Sequence, residues 1–137
     1  MIVVDTGPLV ALFDPKDGQH ARCRKALRRI AEPLVTTIPV LTETFHMLGP
    51  ASVGSNRLRE FIQGGGLSAW FLDRAALTRA FELMELYADH AMDLADASLV
   101  TAAEASDTRR VFTLDRNDFE TYRVRRGHRH HPMQIVS

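Results

Sequence analysis

Residues 1–14 read MIVVDTGPLVALFD, and the step from Asp5 to Pro8 decides the fold. Ile2-Val3-Val4 is a short run rich in β-branched residues, which reads as a buried strand. Gly7-Pro8 follows, and proline is favoured in the first turn of a helix, where its missing N–H costs nothing. Leu9, Val10, Leu12 and Phe13 then recur at helical rather than alternating spacing, and Asp14-Pro15 stops the helix. An Asp-Thr-Gly after an apolar run is also how an aspartic protease presents its carboxylate. That reading needs the triplet on a loop between antiparallel strands, and here it leads from a strand into a helix. The context excludes the protease.

The same strand–helix alternation continues outward. His20 to Glu32 reads as a helix with Ala21, Ala26, Leu27 and Ile30 inward and Arg22, Arg24, Lys25, Arg28 and Arg29 on its other faces. Pro33 breaks it, Leu34–Thr37 is a second strand, and Ile38–Gly49 a helix stopped by Gly49-Pro50. Ala51–Gln63 is a further helix, closed by glycines at 64 to 66. Leu67–Leu72 is a third strand, and Asp73 is placed to cap a helix over 74–89. Another helix starts near Asp93, and Arg110–Leu114 is a fourth strand. Asp115–Tyr122 is a turn or short helix, Arg123–His131 an exposed loop, and Met133–Val136 a last edge strand. Strands separated by helices pair in parallel through right-handed crossovers. The expected fold is an α/β, three-layer-like sandwich: a mostly parallel sheet of four to five strands flanked by helices, in one domain over residues 1–137.

Bulk properties narrow the function. The chain has 137 residues, 45% hydrophobic and 25% charged, the values of a globular domain. No apolar run approaches the ~18 residues of a membrane span, and no secretory signal precedes the first strand. Cys23 is the only cysteine, so neither a disulfide framework nor a thiolate metal site is available. A cytoplasmic setting is expected. The net charge is zero, yet eleven acids and five bases lie between Asp73 and Glu120, against six acids and twelve bases elsewhere.

In open α/β sheets, sites form beyond the carboxyl ends of the strands. Asp5 and Asp115 each follow a strand, Glu43 lies on the helix after the second strand, and Asp93 and Asp96 open the helix before the fourth. Asp93 suits the helix cap, which leaves Asp96 free. Asp118 competes with Asp115. Carboxylates crowded together raise one another's pKa, and a divalent cation that prefers oxygen, Mg²⁺ or Mn²⁺, relieves the repulsion.

Four stretches, VVDTGPLVALFD, LTETFHML, MDLADASLV and FTLDRNDF, taken in this order, make the chain resemble the PIN-domain ribonucleases, specifically the VapC-type toxins of toxin–antitoxin pairs. The resemblance covers essentially the whole chain. It implies a Mg²⁺- or Mn²⁺-dependent endoribonuclease that cleaves within structured RNA and leaves a 5′-phosphate and a 3′-hydroxyl. It matches the family's four acids to Asp5, Glu43, Asp96 and Asp115, with Asp93 and Asp118 as extra acids, and with Thr6 and Thr113 as accessory hydroxyls. It further implies a homodimer and a VapB-type antitoxin, expected in an apolar groove lined by the first helices and by Phe45, Met47 and Leu48. RNA phosphates require cations, and Arg22, Lys25, Arg29 and Arg126 are the candidates, with Arg123, Arg125, Arg129 and the nearby His128, His130 and His131 behind them.

Three rivals come from other classes. A dehalogenase-like phosphatase needs a second Asp two residues after the first, where this chain has Gly7. A receiver domain needs a Lys after its last strand, and the only lysines are Lys16 and Lys25. An inactive RNA- or antitoxin-binding scaffold has no need of so many converging carboxylates.

Overall fold

Apolar three- and four-residue runs from distant parts of the chain pair into one sheet. The computed structural model describes all residues, 1–137. It comprises, in order, β1 (Ile2–Val4), α1 (Thr6–Phe13), α2 (His20–Arg29), β2 (Leu34–Thr37), α3 (Ile38–Leu48), α4 (Val53–Gln63), β3 (Ser68–Trp70), α5 (Arg74–Leu86), α6 (Leu94–Ala105), β4 (Arg110–Phe112), α7 (Arg116–Thr121), β5 (Arg123–Arg126), β6 (Arg129–Pro132) and β7 (Gln134–Val136). A 3₁₀ turn at Ala88–His90 joins α5 to α6. Five strands form a sheet in the order β3-β2-β1-β4-β7, and every pairing is parallel. β1 is central and fully buried, which is why its residues are all apolar instead of alternating.

The chain runs outward from β1 through β2 to β3 and then returns to the other side of β1 for β4. The strand order therefore reverses between β1 and β4, and such a reversal opens a crevice beyond their carboxyl ends. Asp5 and Asp115 sit there.

Small residues allow the central helix to be buried on almost every side. In α6, Ala95, Ala97 and the whole run Ser98–Ala103 are buried. Its hydroxyls are satisfied internally: Ser98 donates to the Ala95 carbonyl (2.7 Å) and Thr101 to that of Ala97 (2.8 Å). Helix starts are fixed by side-chain caps at Ser52, Asp73 and Asp93, each accepting an N–H at 2.8–3.0 Å. Such a cap contributes about 1 kcal/mol. The approach of α4 to the end of α1 depends on Gly54, where a Cβ would stand 2.5 Å from the Phe13 carbonyl.

Two expectations change. Residues 123–131 are not a loop: β5 and β6 form an antiparallel hairpin pairing Arg123 with Pro132 and Arg126 with Arg129. Buried Val124 holds it against α6, and the Arg125 amide donates to Glu104 (2.8 Å). One buried valine among arginines and histidines leaves no alternation to read. In α2 the residue buried beside Ala26 is Cys23, while Ala21 is exposed, and the helix ends at Arg29 instead of reaching Glu32.

Candidate active site

Each acid is delivered by the element that precedes or carries it. β1 ends at Val4, so Asp5 stands at the sheet's carboxyl edge, where it caps α1 by accepting the Thr6 amide at 2.8 Å. Its other oxygen accepts the Thr113 hydroxyl at 2.8 Å. The same hydroxyl accepts the Asp115 amide at 2.9 Å, so Thr113 ties the end of β4 to the end of β1. Asp115 caps α7 by accepting the Asp118 amide (3.2 Å), and Asp93 caps α6 by accepting the Asp96 amide (2.8 Å). Asp96 is thereby left free of capping, one turn into α6. Glu43 is on the exposed side of α3. One cleft of about 660 Å³ is lined by Asp5, Glu43, Asp93, Asp96, Asp115 and Asp118, together with Thr6, Gly7, Met47, His90, Ala91 and Leu114.

Burial and mutual repulsion set the electrostatics. Burial pushes the Asp5 carboxyl up to about 6, against opposing hydrogen bonds from Thr113 and Thr6. Asp96 is pushed up to about 7, first by burial and then by the charges of Asp93 and Asp5. Asp118 is raised too, by burial first and then by Asp115 beside it. None of the six carboxylates takes part in an ion pair; the ion-paired acids are Glu32, Glu82, Glu104, Asp107 and Glu120, away from the cleft. Only Asp5 is buried; Glu43, Asp93 and Asp115 are exposed, and His90 is the one basic side chain on the lining, so the mutual repulsion of six acids is left largely unopposed.

The PIN domain family matches residues 2–124, from the first residue of β1 into β5, and so takes in every acid of the cleft. The chain belongs to the PIN-domain family. A relative, ribonuclease VapC26 of Mycobacterium tuberculosis, is 30% identical over 126 residues, 89% of this chain and 92% of that protein. Among solved structures, M. tuberculosis VapC20, a sarcin–ricin loop cleaving toxin, superposes with a TM-score of 0.77 at 15% identity, covering 85% of this chain and 92% of that one. A toxin–antitoxin complex from Klebsiella pneumoniae gives 0.70 at 16% identity, covering 88% and 92%. FitAcB from Neisseria gonorrhoeae gives 0.61 at 18%, covering 87% and 91%. The VapC-type resemblance read from the four acidic stretches is shown, and so is the five-stranded parallel PIN fold.

The donors of this PIN domain fit a hard divalent cation. Apart from His90 they are carboxylate and hydroxyl oxygens, none of the carboxylates is in an ion pair, and the buried Thr6 hydroxyl has no protein partner. No three of the carboxylates are drawn together into a ready-made cage.

The cationic candidates separate. Arg22, Lys25 and Arg29 are exposed on α2, and Arg22 donates to the Ser137 hydroxyl at 3.0 Å, where Arg116 also reaches at 3.4 Å. Arg126 instead pairs with Asp107 at 3.1 Å, at the far end of α6 from Asp96. From Asp96 to the end of α6 at Ala105 the helical rise is roughly 14 Å, and Asp107 lies beyond it. The apolar cavity near the first helices, about 490 Å³, is lined by Leu12, Phe13, Pro15, His20, Arg24, Leu27, Arg57 and Phe61 of α1, α2, α4 and their connections. Phe45 and Leu48 do not line it, and Met47 faces the acidic cleft instead. Helical spacing alone did not show which side of α3 would meet the first helices.

Sequence reasoning also missed Tyr122 and Tyr87. The Tyr122 hydroxyl donates to Asp96 Oδ2 at 3.1 Å, and the Tyr87 hydroxyl accepts the Arg123 amide at 3.0 Å. Both rings stack edge-on, with Phe119 on the other side of Tyr122. Their only signal was a buried-type aromatic with a polar tip close in sequence to an acid.

Proposed function

We propose that this VapC-type ribonuclease hydrolyses RNA phosphodiesters in the acidic cleft with Mg²⁺ or Mn²⁺ as cofactor and water as the nucleophile. The observation that carries the reading is the set of six carboxylates in one cleft, none of them in an ion pair, two of them pushed to about 6 and 7. Asp5, Glu43, Asp96 and Asp115 would hold the cation, directly or through water, with Asp93 and Asp118 beside them. When bound, it supplies charge for the phosphoryl oxygens and lowers the pKa of an attacking water. Asp5 is held by two hydrogen bonds, so its carboxylate is oriented before any ligand arrives. The buried Thr6 hydroxyl beside Asp5 has no protein partner. Exposed Arg22, Lys25 and Arg29 would draw in the RNA backbone.

The partners follow from the same reading. A VapB-type antitoxin would dock its apolar side chains in the cavity between α1, α2 and α4, where Arg24 and Arg57 favour acidic neighbours. A homodimer would cover exposed Phe71, Leu77 and Phe81, the last two one turn apart on α5. No helix is long and apolar enough to cross a membrane, and the site of action would be the cytoplasm, where RNA is found.

The test is the chemistry of the product ends. Incubation of purified protein with RNA in Mn²⁺ should yield 5′-phosphate and 3′-hydroxyl termini, and EDTA should stop the reaction. Cyclic 2′,3′-phosphate ends formed equally well in EDTA would overturn the proposal, because they require attack by the ribose instead of by water.

A further inference from the structure

Asp96 reaches the cleft from α6, and a lone carboxylate one turn into a helix can adopt several side-chain rotamers. Asp5 has two protein donors that fix it; Asp96 has one, the Tyr122 hydroxyl on Oδ2, and its Oδ1 has no protein partner. The donor itself is rigid. Tyr122 is fully buried, with its ring edge-on between Tyr87 (5.1 Å between centroids) and Phe119 (5.2 Å). The next residue is pinned as well, since the Arg123 amide donates to the Tyr87 hydroxyl. A phenylalanine would fill the same aromatic slot without burying a phenol, and a buried phenol costs free energy unless hydrogen-bonded. Packing alone therefore does not call for the hydroxyl.

We propose that Tyr122 is a positioning residue of the cleft: its hydroxyl fixes the Asp96 carboxylate through Oδ2, so that Oδ1 is presented to the bound cation. The inference rests on the proposed reading of the cleft as a cation site. Side chains that orient ligating carboxylates typically carry about 10–100-fold in metal affinity.

The experiment measures Mn²⁺ binding to the intact protein by electron paramagnetic resonance, alongside thermal unfolding in EDTA and RNA cleavage. Tyr122→Phe should keep the unfolding temperature within a few degrees of the wild type and weaken Mn²⁺ binding about tenfold or more. In cleavage it should raise the Mn²⁺ concentration for half-maximal rate while leaving the KM for RNA unchanged. Tyr87→Phe removes the other hydroxyl of the same cluster and should leave Mn²⁺ affinity at the wild-type value. In an Asp96→Asn background, Tyr122→Phe should have no further effect on Mn²⁺ binding. Equal Mn²⁺ affinity in wild type and Tyr122→Phe would overturn the inference. So would an equal loss in Tyr87→Phe, or an additive loss beside Asp96→Asn. A wild-type protein that binds no Mn²⁺ would overturn the cation reading itself, a separate result.

Discussion

The Thr113 hydroxyl donates to Asp5 Oδ2 at 2.8 Å across 108 positions of sequence and also accepts the Asp115 amide at 2.9 Å. One buried oxygen thus fixes the relation between the acid that ends β1 and the acid that follows β4. Thr113→Val keeps the shape and removes both bonds, leaving a buried carboxylate oxygen and an amide without their partner. The expected cost is about 1–3 kcal/mol in urea unfolding, with reduced cleavage. Thr113→Ser should retain most of both. A valine variant as stable and active as the wild type would show that this hydroxyl does not organise the site.

The cleft acids predict a pH dependence of the metal-free protein. Asp5 is raised to about 6 in the fold, above its ordinary value near 3.9. Between those limits the native state holds a proton that the unfolded chain has released. The associated stability is present in full below the unfolded value and is lost as pH rises through 6; for Asp96 the loss runs through about 7. In EDTA, Asp5→Asn should therefore gain stability relative to the wild type between pH 5 and 8, by up to about 3 kcal/mol. A gain that shrinks with rising pH would contradict the sign.

RNA affinity should separate the two basic regions. Replacing Arg22, Lys25 and Arg29 with alanine is expected to weaken binding of single-stranded RNA and to flatten its salt dependence by about 0.7 per lost phosphate contact. Arg126→Ala should leave both unchanged and lose at most about 1 kcal/mol from its exposed pair with Asp107. The reverse pattern, measured by filter binding across a salt series, would move the RNA path to the hairpin.

Most of the architecture was legible because it is periodic. β-branched runs, helical spacing and the acids that follow β1 and β4 are local signals; the family resemblance singled out Asp5, Glu43, Asp96 and Asp115, and all four line the cleft. Asp93 as cap and Asp96 as the free acid also followed from spacing, as the hydrogen bond between them confirms. The β5–β6 hairpin was not legible, since its pairing depends on the docking of one valine against α6. Nor was the bond from Tyr122 to Asp96, which joins residues 26 positions apart and exists only once α6 and α7 are packed. The glycine of Asp-Thr-Gly, suggestive in the sequence, is not sterically demanded: a Cβ there would meet only the Leu114 side chain at 3.6 Å.

We propose that the carboxylates of this cleft act together on RNA through a divalent cation. The direct measurement is RNA cleavage by the wild type, Asp5→Asn and Asp96→Asn in Mn²⁺, with folding of each checked by thermal unfolding. The wild type should cleave, and each variant should fold and lose at least about a hundredfold in rate, equivalent to the several kcal/mol that a metal site supplies. Folded variants that cleave at the wild-type rate would show that these carboxylates do not carry the reaction.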